Sequence, residues 1–335
     1  MAFNGSNETL YAIGREPASW GWWTQQILTP VIVLIGIGGN LMSFLLMKTK
    51  SLRKKSYSNF LCALAVFDSL CLINRQVTLI HEILIHTSQN GVFTEFSDLS
   101  CQIYSFYEHL CYLMSSWLIV GMAAERVVAM CLPFRKTLLR TQTGAIVTIL
   151  VTFIIMCLTQ VFRFIMIKHI GGTCQGDISS HVEYIHLHIY FYQLTLVLTL
   201  PFTVVLVCNS LVIYQIYRVR KAARNSRSRV VERSHQTTLM LLSISFTYLA
   251  TMLPLVVISF FWQAAMNQQN VDMVFSLYPV QQFVSVISYV NYGVNFFIYI
   301  LSGRSFRFEL KRIFSRESHQ SLSATRTREE FLRLM

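Results

Sequence analysis

Charge is what this sequence has least of. Only 13% of its 335 residues are Asp, Glu, Lys or Arg, while 53% are hydrophobic; a soluble domain carries about 25% charged residues. That shortage excludes a single soluble core. Lys and Arg are missing altogether from residues 86–100 and 267–273. No glycine-rich phosphate loop and no nucleophile elbow occurs anywhere, so no enzymatic motif is present. The run from His81 and Glu82 to His86 has its histidines five residues apart. Metal ligation from one helical face needs four. His186 and His188, two apart, fit no better.

What is present is apolar length. Seven stretches, at about 27–47, 60–85, 102–124, 144–167, 185–217, 236–266 and 274–301, are each long enough to cross a bilayer, for which about 20 residues suffice. In lipid each must be helical, because every backbone polar group needs an internal partner. The expected fold is an all-α membrane protein, a seven-transmembrane helix bundle. Its parts are an N-terminal segment over 1–26, a bundle over 27–302 and a cytoplasmic tail over 303–335.

The net charge of +12 is placed selectively. Lys48 to Lys55 follow the first stretch, Arg135 to Arg140 the third, Arg218 to Arg233 the fifth and Arg304 to Arg312 the seventh. The positive-inside rule therefore puts the N-terminus outside and the C-terminus in the cytoplasm, in a multi-pass protein. A nucleic-acid partner is excluded, since these charges only cap apolar spans. Asn4 and Asn7 each open an Asn-x-Ser/Thr acceptor on the outer side. No apolar h-region precedes them, so no cleavable signal peptide is expected. Between Cys101 and Arg126 the chain has no Lys or Arg, and Glu108 is its only acid before Glu125. As a helix that stretch is about 37 Å long, with a cysteine at one membrane face and an acid–base pair at the other.

This arrangement resembles the third helix of rhodopsin-like (class A) G protein-coupled receptors. The resemblance runs from about Ile27 to Phe314. It is carried by Gly39-Asn40, by Leu64-Ala65-Val66-Phe67-Asp68, and by Cys101 with Glu125-Arg126-Val127 and Pro133. Pro201, Pro254 and Asn295-Phe296-Phe297-Ile298-Tyr299 continue it, and the stretch from Phe306 and Arg307 resembles the family's short amphipathic eighth helix. There are departures. Phe296 stands where the family has proline, Met252 where it has a toggle tryptophan, and Asn209 where it commonly has tyrosine. Residues 144–167 contain no tryptophan. The Asn-Phe-x-x-Tyr ending also resembles invertebrate FMRFamide-type neuropeptide receptors, in the peptide branch.

The resemblance implies a disulfide between Cys101 and Cys174, the two cysteines on the predicted outer side. It implies a heterotrimeric G protein as partner, with Glu125, Arg126, Asn295 and Tyr299 as the switch; the other reading of Arg126 is a snorkelling anchor. It implies an allosteric sodium ion held by Asp68, Ser115, Asn291 and Asn295, with Asn40 nearby; the other reading is a purely structural polar network. No further cofactor is expected. Arrestin and a receptor kinase are implied for the Ser/Thr-bearing tail, Ser315 to Thr327, which could equally be plain disordered chain. The location implied is the plasma membrane.

Glu108 lies two helical turns below Cys101, facing the expected cavity. It either receives a cation of the ligand or pairs internally with Arg75 or Arg163. Around it the candidate ligand contacts are Gln76, Tyr112, His188, Tyr192, Trp262 and Gln282. This wide, mixed rim suits an extracellular peptide. A small biogenic amine is the alternative ligand, but span five offers Gln193 and Val197 rather than serines. A light receptor is excluded, because no lysine lies between Asp272 and Arg304. A seven-span transporter would show an internal repeat, and none is visible.

Overall fold

A computed structural model describes residues 19–87, 89–131, 141–177, 183–184, 186–222, 229–268, 270–303 and 306–313. Asn4, Asn7, Pro133 and the tail from Phe314 onward lie outside the described residues, as do the side chains of Glu232 and Ser234.

Among the described residues seven helices are long and apolar enough to cross a membrane. Span one is Trp20–Met47, span two Ser56–His86 and span three Asp98–Cys131. Span four is α-helical over Gln142–Thr159 and resumes as a short turn at Arg163–Met166. Span five is π-wound over His186–Thr199 and α-helical over Leu200–Ala222. Span six is Arg229–Asn267. Span seven is Val271–Gly293, and after a break at Val294 it continues as Asn295–Ser302. Residues 306–313 are helical again. The bundle is apolar outside as well as inside: Leu34, Leu158 and Leu301 are 76%, 67% and 77% exposed. A soluble surface would not carry such a continuous apolar coat; lipid accepts it.

Close helix contact rests on small residues, as is usual in membranes. Span one meets span seven through Gly21 against Pro279, Gly36 against Gly293 and Gly39 against Phe296. At its N-terminal end Ser19 caps span one, accepting from the Trp22 amide, and donates its hydroxyl to Gln282 Oε1 at 2.9 Å. A Cβ on Gly36 would lie 2.9 Å from Gly293 Cα, and backbone cannot swing aside. Gly36→Val should therefore cost about 1–3 kcal/mol by overpacking. A thermal melt of purified receptor checks this, and an unchanged midpoint would remove the glycine contact from the account.

Proline shapes span five. Pro201 has no amide hydrogen, so it cannot bond back to the preceding turn. Two carbonyls of that turn accept from side chains on neighbouring spans: Trp117 Nε1 donates to Leu196 O at 3.0 Å and the Tyr248 hydroxyl to Val197 O at 3.3 Å. Spans three, five and six are thereby joined at mid-membrane.

Between spans four and five lies a two-stranded antiparallel hairpin, β1 (Ile167–Ile170) and β2 (Thr173–Gly176), with His169 opposite Cys174. Its turn, Gly171-Gly172, has φ of 62° and 82°, the backbone that a tight two-residue hairpin turn requires and that glycine adopts without strain. Asp98 Oδ1 accepts from the His169 amide at 2.7 Å, and Gln102 Nε2 donates to Ile167 O at 3.2 Å. The hairpin thus sits on the outer end of span three, and Cys174 is disulfide-bonded to Cys101.

Candidate functional site: two buried acids and an ion pair at the end of span three

Span two presents Arg75 and Glu82 seven residues, about two turns, apart on one face. They form a two-pronged ion pair, Nη1–Oε1 at 3.1 Å and Nη2–Oε2 at 3.3 Å. The Arg75 guanidinium lies 5.3 Å from the Tyr289 ring centre. On the opposite side Arg163 is completely buried. Its Nε donates to Gln160 Oε1 at 2.8 Å, its Nη1 reaches Ser105 Oγ at 3.3 Å and its Nη2 lies 3.0 Å from His188 Nδ1. The rings of Phe162 and Tyr192 cover it at 4.9 and 4.6 Å. A cation so enclosed is tolerable because each of its three nitrogens meets a polar partner and two ring faces cover the plane.

Both arginines that the sequence offered to Glu108 are thus engaged elsewhere. Among the described residues no ion pair reaches the Glu108 carboxylate. The Thr78 hydroxyl stands beside it, with Arg75 and Arg163 as its nearest cations. Glu108 therefore interacts with these two guanidinium groups through space, without a direct ion pair to either.

The other expected contacts divide. Gln76 keeps a buried Oε1 without a hydrogen-bond partner, and Tyr112 packs against Tyr292 with ring centres 5.8 Å apart. His188 and Tyr192 belong to the shell around Arg163: Tyr184 and Tyr192 stack on His188 at 5.1 and 5.6 Å, and the Tyr192 hydroxyl donates to His109 O. Gln282 is held by Ser19. Trp262 packs with Tyr278 in a small separate cluster between spans six and seven. Tyr289, which carries the Arg75 guanidinium, is not among the residues the sequence singles out. Tyr289 lies seven residues after Gln282, hence on the same face, and that spacing could have found it.

Deeper, Asp68 is fully buried. Ser115 Oγ donates to its Oδ1 at 2.5 Å and Asn295 Nδ2 to its Oδ2 at 2.6 Å. Asn295 Nδ2 also approaches the Asn291 carbonyl at 3.4 Å, and Asn40 Nδ2 donates to Tyr292 O at 2.9 Å. Spans one, two, three and seven meet here. Span seven breaks at Val294, immediately before Asn295, although Phe296 rather than proline follows. Among the described residues no cation pairs with Asp68. The two carboxylate oxygens, the Ser115 hydroxyl and the Asn291 carbonyl put oxygen atoms around a buried charge that no described cation balances, and oxygen is the donor a hard cation takes.

At the far end of span three from the disulfide Arg126 folds back on Glu125, its Nε donating to Oε2 at 2.6 Å with Nη2 also in contact. Ser56 Oγ donates to the other carboxylate oxygen, Oε1, at 2.8 Å. The Arg126 guanidinium lies 5.6 Å from the Tyr57 ring centre. Of the expected switch residues only these two touch each other: Asn295 belongs to the Asp68 cluster, and Tyr299 is buried against Phe306 of the eighth helix at 5.2 Å. Arg307 caps span seven, donating to the carbonyls of Ile300 and Leu301 at 2.8 and 2.7 Å.

A family profile described as "7 transmembrane receptor (rhodopsin family)" matches residues 39–299. Growth hormone secretagogue receptor type 1 of Rattus norvegicus is 20% identical over 311 residues, covering 89% of this chain and 83% of that one. The Homo sapiens receptor of that name is 20% identical over 295 residues, 84% and 78% of the two chains. FMRFamide peptide receptor frpr-18 of Caenorhabditis elegans is 25% identical over 199 residues, 57% of this chain and 46% of that one. With that match spanning most of its length, seven apolar spans and the loop disulfide, the chain belongs to the rhodopsin family of G protein-coupled receptors and is a multi-pass membrane receptor, not an enzyme.

Proposed function

We propose that this receptor sits in the plasma membrane with its N-terminus outside, binds an extracellular peptide and activates a heterotrimeric G protein. One observation carries the peptide reading: among the described residues no cation forms an ion pair with the Glu108 carboxylate, which lies among Thr78, Tyr104 and Tyr112. One relative is named for an FMRFamide peptide and others for a growth hormone secretagogue, which agrees with it. A basic group of the ligand would complete the carboxylate with a charge-assisted bond. Arrestin and a receptor kinase remain partners proposed for the tail.

The test is a library of amidated neuropeptides on cells expressing the chain, read by calcium and cyclic AMP. For an activating peptide, Glu108→Gln should lose about 1.5–3 kcal/mol, or about tenfold to 150-fold in potency. Neutralising the peptide's basic group should give a similar loss on the native receptor and little more on the variant, since groups in direct contact are non-additive. Simple additivity would make Glu108 a cavity-shaping residue instead. Robust activation by dopamine, an isolated amine, would overturn the peptide reading.

We also propose that Asp68, Ser115, Asn291 and Asn295 hold a sodium ion that favours the inactive state. The support is the unpaired carboxylate. Replacing sodium with a bulky organic cation should raise agonist affinity of the native receptor and leave Asp68→Asn unchanged. An equal response in both forms would leave only a structural polar network.

A further inference from the structure

Ser56 is the first residue of span two, and its hydroxyl reaches across to the Glu125 carboxylate at 2.8 Å. It is directly preceded by Arg53, Lys54 and Lys55, all three exposed on the cytoplasmic side. A serine preceded by such a run presents the charge that basic-directed protein kinases read. From these two facts we propose that Ser56 is a phosphorylation site whose phosphate captures Arg126, using the proposed coupling role of Arg126 for its consequence.

The closed pair and the modification compete for one oxygen. While Ser56 Oγ–H is donated to Glu125, its lone pairs are held half-buried at the span two–span three contact. Opening of Glu125 and Arg126 frees the hydroxyl. It then attacks the γ-phosphorus of ATP: the Oγ–P bond forms, the bond from the γ-phosphorus to the bridging oxygen breaks, ADP leaves, and the hydroxyl proton passes to the kinase's base. The product carries a charge of about −1.5 to −2 at neutral pH and strong acceptor oxygens. Its place at the start of a helix favours that charge. Ser56 can no longer donate to Glu125, and the two anions repel. Arg126 is the neighbouring cation on span three, with its guanidinium over Tyr57, the residue after Ser56. A phosphate there offers it a two-pronged acceptor stronger than the carboxylate. The arginine is then drawn toward span two and withheld from a cytoplasmic partner. A receptor that has opened is thus marked and closed again.

The experiment uses the full chain in nanodiscs, with ATP and the catalytic subunit of a basic-directed kinase. Native receptor, Glu125→Ala, Ser56→Ala and Ser56→Thr are compared by phosphopeptide mass spectrometry. Cys131, exposed and five residues beyond Arg126, carries a fluorine label that reports on the end of span three. Phosphate is expected on Ser56, entering Glu125→Ala about tenfold faster than native because the hydroxyl has lost its acceptor. Phosphorylation should shift the fluorine resonance in the native and Ser56→Thr proteins and leave Ser56→Ala unshifted. An unmodified Ser56 in Glu125→Ala, with tail serines such as Ser315 phosphorylated in the same tube, overturns the site. A phosphorylated Ser56 with no fluorine shift overturns the capture of Arg126. Both readouts are independent of nucleotide exchange. Absence of exchange with every G protein would count against the coupling reading alone.

Discussion

Arg126→Ala is expected to abolish G protein activation while leaving ligand affinity within a few-fold. Eighteen helical steps separate Arg126 from Glu108, a rise of about 27 Å, so the arginine cannot touch a ligand held at Glu108. Nor does it behave as a snorkelling anchor. Such a side chain would extend its charge to water, whereas this one is only 11% exposed and is turned back onto Glu125. Glu125 is in turn held by Ser56. An ion pair that is buried and hydrogen-bonded on its acidic side stores a guanidinium that opening would present to a partner. Breaking the pair from the other side should have the opposite sign: Glu125→Gln, which removes the charge and keeps the shape, should raise basal exchange. The measurement is nucleotide exchange on purified G protein, with surface level and ligand saturation recorded in parallel. An Arg126→Ala receptor at normal surface level with full efficacy would return the residue to a structural role.

The spans and the buried pairs were legible because lipid leaves few alternatives. Length and the absence of charge gave seven helices. Extra turns such as Trp20 to Gln26 and Ser56 to Asn59 project beyond the hydrocarbon run and carry too many polar residues to be counted by apolarity. Span four was read through to Ile167, yet its helix ends at Thr159. The apolar run continues past that point because Val161 and Ile165 remain exposed at the bundle surface, so composition does not mark the break. The Asp68 cluster was legible as a set of polar residues that had to find one another in an apolar bundle. Which arginine served which acid was not. Glu82 takes Arg75 through helical spacing that the sequence contains, but Arg163 is satisfied by Ser105 and His188 from other spans. The bond from Ser56 to Glu125 depends on how loop one seats span two against span three, and no periodicity encodes that.

The second large effect belongs to the disulfide. Cys174→Ser is expected to lower ligand binding at least tenfold or to cut surface expression sharply. The bridge closes a separation of 73 residues, and in the chain-entropy model that is worth about 4–5 kcal/mol. That figure assumes a free unfolded chain. In a bilayer the spans stay inserted when the bundle loosens, so the closure that matters is the shorter outer loop, and a loop of about 15 residues is worth about 3 kcal/mol. The other ties between the hairpin and span three are the His169 amide to Asp98 and Gln102 to Ile167, each worth about 1 kcal/mol. The bridge therefore outweighs either tie, and without it β1 and β2 are free to lift away from the end of span three. Cys101→Ser should match Cys174→Ser, and the double variant should be no worse than either, because all three lose the same bond. Normal surface level and normal potency in Cys174→Ser would show that those two hydrogen bonds alone keep the hairpin seated.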